Sequence, residues 1–103
     1  ASNKLIAERP DALRAFLKGW YETIAWMGAN RDETIALARK IDGFSQTVEE
    51  RNYDGVMPSL SKDGKFPAAG LEGVSRSFVD LNLLPEAPDL AKYVTEKFLP
   101  GAK

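Results

Sequence analysis

The sequence predicts an all-α fold: one compact bundle of five or six helices over residues 1–103. Three observations carry this. Residues 10–29 place Leu13, Phe16, Leu17, Trp20, Ile24 and Met27 at helical spacing, so that they form one stripe of roughly 100°. No segment alternates at period two over five or more residues, and no β-branched run is bounded by turn signals. Helix-starting and helix-stopping residues punctuate the chain at intervals suited to short helices.

The elements follow in order. Ser2 or Asn3 caps a short helix over 4–8. Pro10 drives Arg9 away from helical geometry, so a bend separates this helix from the next. Pro10 and Asp11 suit the first turn of the long helix over 10–29. Asn30 is expected to close it in the left-handed conformation. Trp26 lies almost opposite the apolar stripe and is a candidate contact with another domain or chain.

Asn30-Arg31-Asp32 reads as a turn, with Asp32 capping a helix over 33–41. Thr34, Ala38 and Ile41 share a face of that helix, widened by Ile35 and Leu37. Asp42-Gly43 stops it. Ser45 or Thr47 begins the next element, and Thr47-Val48-Glu49-Glu50 fits a capping box, with Thr47 as N-cap, for a helix over 48–57, interrupted at Asp54-Gly55 and ended by Pro58. Its apolar set is sparse: Val48, Val56 and Met57, with Leu60 beyond. Residues 59–66 are loop, with a turn at Asp63-Gly64.

Pro67 opens a helix that runs to about Leu81, with Leu71, Val74, Phe78 and Leu81 along one side. Ala69, Gly73 and Ser77 form a separate line of small residues, a candidate surface for close backbone approach. Gly70 and Gly73 each cost about 1 kcal/mol of helix propensity against alanine, which favours packing as their reason. Residues 82–88 form an exit and a rigid linker. Asp89 then caps a last helix over 90–99, with Leu90, Tyr93, Val94 and Phe98 on its apolar face.

Composition narrows the function. The hydrophobic fraction of 44% and charged fraction of 28% are those of a folded globular chain. The net charge is −1 and no basic patch stands out, which argues against nucleic acid as a partner and against an anionic membrane surface. Cysteine and histidine are both absent, which removes disulfides, thiolate nucleophiles and the commonest zinc ligand and general base. No cofactor or metal motif is present, and no apolar run approaches transmembrane length.

Ser59-Leu60-Ser61-Lys62 has S-x-x-K spacing but falls in a loop and lacks the accompanying S-D-N and K-T-G motifs. The acid pairs Asp32/Glu33 and Glu49/Glu50 sit at helix starts, where they complement the dipole. No catalytic residue is assigned, and the chain is read as non-enzymatic. It begins at Ala1 rather than Met and shows no signal peptide, which suits a processed or engineered end and one piece of a longer gene product.

Residues 4–45 are similar to the C-terminal region of periplasmic substrate-binding proteins of ABC transporters, in the nitrate, sulfonate, taurine and thiamine-pyrimidine-precursor group. That group shows E-x-P-[DE]-x-[LV]-x-x-F-[LV]-x-[AG]-[WY], matched from Glu8 through Pro10, Asp11, Leu13, Phe16, Leu17 and Gly19 to Trp20. It then shows N-x-[DE]-E-[AT], matched by Asn30, Asp32, Glu33 and Thr34. Later come a D-G turn, an exit matched by Leu81-Asn82-Leu83-Leu84-Pro85, and an ending matched from Asp89-Leu90 to Phe98-Leu99. The similarity spans nearly the whole chain, and it rests on order and spacing rather than on one diagnostic motif.

The resemblance implies a fragment of a type II periplasmic-binding-protein α/β fold. It also implies a periplasmic location, capture of a small solute, and delivery to an ABC permease in the membrane. The family's two sheets, hinge and most ligand contacts precede this region, so no ligand-binding residue can be carried over. Helix faces that would pack on those sheets need another cover, so self-association of the isolated domain is expected.

Overall fold

The computed structural model describes residues 1–102. It is 67% helical and has no strand among the described residues. Five helices follow in order: α1 (Asn3–Glu8), α2 (Pro10–Ala29), α3 (Arg31–Asp42), α4 (Gln46–Val56) and α5 (Ala68–Asp80). Single 3-10 turns cover Met57–Ser59 and Leu90–Lys92.

Helix ends follow local chemistry. Ser2 caps α1, its Oγ accepting from the Leu5 N–H. Arg9 breaks the helix before Pro10, as the proline requires. Gly43 ends α3 in the left-handed conformation at φ 77°.

Three caps differ from expectation. Asn30 is not left-handed (φ −129°, ψ 62°); its side-chain amide donates to the Trp26 carbonyl instead, at 2.8 Å. The reason is that α3 starts at Arg31, so one residue must end one helix and begin the next. Asp32 therefore lies in the first turn of α3 rather than at its cap. Of the two possible starts of α4, Ser45 is the cap and accepts from the Val48 N–H, so the capping box at Thr47 does not form. The left-handed residue beyond α5 is Asn82, at φ 55°, which lets Leu83 and Leu84 donate back to the Phe78 carbonyl.

The largest departure is at the C-terminus, where the helix expected over 90–99 does not form. Asp89 caps one turn, accepting from the Ala91 N–H, and the helix then stops. Thr95 Oγ1 accepts from the Lys97 N–H, a local bond that competes with the helical ladder. Two long-range bonds take groups from the same stretch. Arg14 Nη1 donates to the Lys97 carbonyl at 2.7 Å, and Glu96 Oε1 accepts from the Phe66 N–H at 2.7 Å. Phe98 is thereby seated on α2, at 4% exposure, while Tyr93 is left at 79%.

The molecule is open rather than compact. Its radius of gyration is 17.6 Å, against about 13 Å for a compact domain of this length. Its surface is 8029 Å², against about 5,700 Å² from the scaling for compact monomers. Only Ile24, Ile35 and Phe98 are buried apolar side chains among the described residues.

Two small cores flank α2. One joins its C-terminal half to α3 and α4 around Ile24 and Ile35. The other joins its N-terminal half to the segment ending at Leu99. α5 packs mainly on the turn Leu90–Lys92, helped by Ser75 Oγ donating to the Pro88 carbonyl.

Gly64 ties the 60–66 loop to the second core. Its φ is 73°, and a Cβ there would overlap the Tyr21 hydroxyl and stand 2.6 Å from Leu99 Cδ2. Gly64→Ala is expected to lower stability by more than the ~1–2 kcal/mol of a left-handed alanine, because the ring of Tyr21 must also move. Urea unfolding of the variant checks this; a loss under about 0.5 kcal/mol would mean the loop does not rest on Tyr21.

Candidate functional site

Of the sequence-predicted interface residues, Trp26, Ala69 and Gly73 are exposed and Ser77 is half-buried, and the two helices that carry them are not packed together. Trp26 is 41% exposed. Ser77 Oγ donates to the Val74 carbonyl. Nothing lies within 4 Å of where a Gly73 Cβ would be, so no neighbouring backbone uses the small-residue line.

The apolar stripe of α2 is divided. Ile24 is buried and Leu13, Leu17 and Met27 are half-buried. Phe16 and Trp20 stand out at 62% and 52% exposure, stacked on each other with ring centroids 6.1 Å apart. The cover reaches only the side occupied by Tyr21 and Ile24. On α5, Val74 and Leu81 are likewise exposed, at 53% and 67%. Exposed apolar faces of this kind mark contact surfaces when they are contiguous.

A second feature lies between α3 and α4. Thr34 Oγ1 donates to the Asn30 carbonyl one turn back, at 2.7 Å, and lies 3.5 Å from the Met27 carbonyl of α2. Tyr53 reaches across from α4 and donates to the Met27 carbonyl at 2.6 Å. Arg31 holds Asp54 through both carboxylate oxygens, at 2.9–3.1 Å, and lies 5.5 Å from the Tyr53 ring centroid.

Hydrogen bonding to Asp54 raises the Arg31 guanidinium above its ordinary value; partial desolvation opposes this, and Glu50 and Asp32 add to the rise. A raised cation stabilises fully below its unfolded value and loses that only as pH climbs through the raised one. Arg31 therefore stays charged at every ordinary pH, and salt is the useful probe of this half-exposed pair.

These ties leave a groove of about 310 Å³ whose lining includes Met27, Ile35, Glu49, Asn52, Tyr53 and Met57. Glu49 is its unusual member. It is 4% exposed, its Oε2 accepts from Asn52 at 3.4 Å, and its Oε1 is buried with no hydrogen-bond partner. Position in the first turn of α4 offsets part of its charge but leaves those lone pairs unmet.

Sequence reasoning placed Glu49 among dipole-complementing acids and missed its burial. The signal was there: Glu49 is in helical phase with Tyr53 and Met57, four and eight residues on, and so shares their inner face.

The S-x-x-K residues form no visible constellation. Ser59 Oγ donates to the Val56 carbonyl at 2.7 Å, and Lys62 lies beside Ile24, Gly28 and Ala29. No group of three or more metal-ligating side chains occurs among the described residues. Among the described residues, no helix is long and apolar enough to cross a membrane. No family model, curated protein or solved structure matches the chain.

Proposed function

We propose that this chain is the C-terminal helical part of the extracytoplasmic solute receptor of an ABC importer. Its role there is to pack on the α/β lobes that capture a nitrate-, sulfonate- or taurine-like solute and present it to the permease. One structural observation supports the reading. The chain leaves Phe16, Trp20, Val74 and Leu81 exposed and, among the described residues, buries only three apolar side chains, as a helical layer does when its partner layer is elsewhere. The motif order from Glu8 to Leu99, which is similar to that of this family, also supports it.

The coding sequence upstream of Ala1 tests it. Parallel-strand lobes preceded by an export signal are expected; an initiation codon directly ahead of Ala1 would sink the receptor reading. The second reading is a stand-alone helical interaction module, favoured by exposed Trp26 and the open Ala69, Gly73, Ser77 line.

Both readings leave apolar faces to be covered, so the isolated chain is expected to self-associate. Light scattering at high concentration should give a mass above that of the 11.3 kDa monomer. Lysine at both Phe16 and Trp20 should return it toward monomer. A strictly monomeric wild type would show that these faces are not sticky enough to need a partner.

A further inference from the structure

We propose that the α3–α4 groove binds a small organic cation: a primary ammonium on an apolar body. The ammonium donates to Glu49 Oε1, and the body lies against Met27, Ile35 and Met57. The inference concerns this hairpin alone and holds whichever parentage the chain has.

Three observations carry it. First, Glu49 lines the groove, and its Oε1 is buried without a hydrogen-bond partner. A buried charge of this kind is costly unless something donates to it. Second, the groove contains two carboxylates, Asp42 and Glu49, and no lysine or arginine. Two cations of this hairpin are engaged elsewhere: Arg31 with Asp54, and Arg39 with Gln46, which in turn holds Glu50. The unmet charge is therefore negative, and anions are disfavoured.

Third, the rest of the lining is mainly apolar, including two methionines, whose flexible thioethers adapt to varied shapes. A volume of about 310 Å³ is at the small end of ligand pockets, which run from ~300 Å³ upward. That suits a single ring or a short alkyl chain rather than a nucleotide. Entry requires Asn52 to give way. It is exposed, and its 3.4 Å bond to Glu49 is long.

The test titrates the chain with 2-phenylethylammonium and hexylammonium, followed by amide chemical shifts and by thermal melting. Saturable shifts centred on Ile35, Glu49, Asn52 and Tyr53, with a raised melting temperature, are expected. Hexanol and hexanoate, which keep the apolar body but lack the cation, should bind at least about tenfold more weakly, the worth of one charge-assisted hydrogen bond.

Glu49→Gln should weaken ammonium binding by at least a similar factor while leaving the far-ultraviolet spectrum unchanged. Equal binding of hexanol and hexylammonium by the wild type would overturn the proposal, even if the variant fails to fold. So would shifts confined to the Phe16–Trp20 face, or no saturable shift at all.

Discussion

Phe98→Ala should cost about 3–5 kcal/mol, the range for truncating a buried aromatic ring. Phe98 is 4% exposed in a chain with only three buried apolar side chains among the described residues. It is also the anchor of a segment with no helix of its own. The Arg14 guanidinium lies 5.1 Å from the ring centroid and the Lys97 ammonium 4.8 Å, so two cations share its faces.

Arg14 also donates to the Lys97 carbonyl, so ring, cation and backbone form one assembly on α2. Without the ring, residues 93–102 lose their seat and Glu96 loses its hold on the Phe66 N–H. Urea unfolding measures the loss, and limited proteolysis locates it. Cleavage should appear first in the C-terminal segment while α3 and α4 stay protected. A loss below about 1 kcal/mol would mean that the ring is not the anchor.

Ile35→Ala should cost about 2–5 kcal/mol, and its damage should fall on the opposite half of the molecule. Ile35 is the most deeply buried side chain, at 1% exposure. It sits on α3, the middle member of the α2–α3–α4 unit, so each neighbour loses contacts when it is cut back. The hydrogen bond from Tyr53 to the Met27 carbonyl crosses the same interface and depends on its spacing.

Ile35→Val, which removes one methylene, should cost only about 0.5–1.5 kcal/mol, and the pair of values gives the graded response of a packed core. Hydrogen exchange should show α3 and α4 opening while the Arg14–Phe98 assembly stays protected. If instead both variants open both halves together, the two cores are one cooperative unit, and the division of α2 into two supports is wrong.

What the sequence determined by itself was the five helices α1 to α5 and most of their ends. Pro10 at the start of α2, Gly43 after α3, Pro67 before α5 and Asp89 at the last turn each act within about four residues, so neighbours in sequence suffice to read them. Even the misplaced caps were local near-misses: Ser45 for Thr47, and Asn30 bonding through its amide instead of turning left-handed.

Tertiary structure decided which faces are covered. Ile35 became a core residue while Ile41, two turns on, stayed 80% exposed, and Phe16 and Trp20 fell outside the cover that reaches Ile24. It decided that Glu49 is buried, because Tyr53 and Met57 turn inward and carry it with them. It decided that residues 93–99 abandon a helix to meet Arg14 and Phe66, and that Gly64 lies against Tyr21. Periodicity shows that a helix has an apolar side, but the partner that covers it is set by contacts between residues far apart in the chain, and those leave no trace in local spacing.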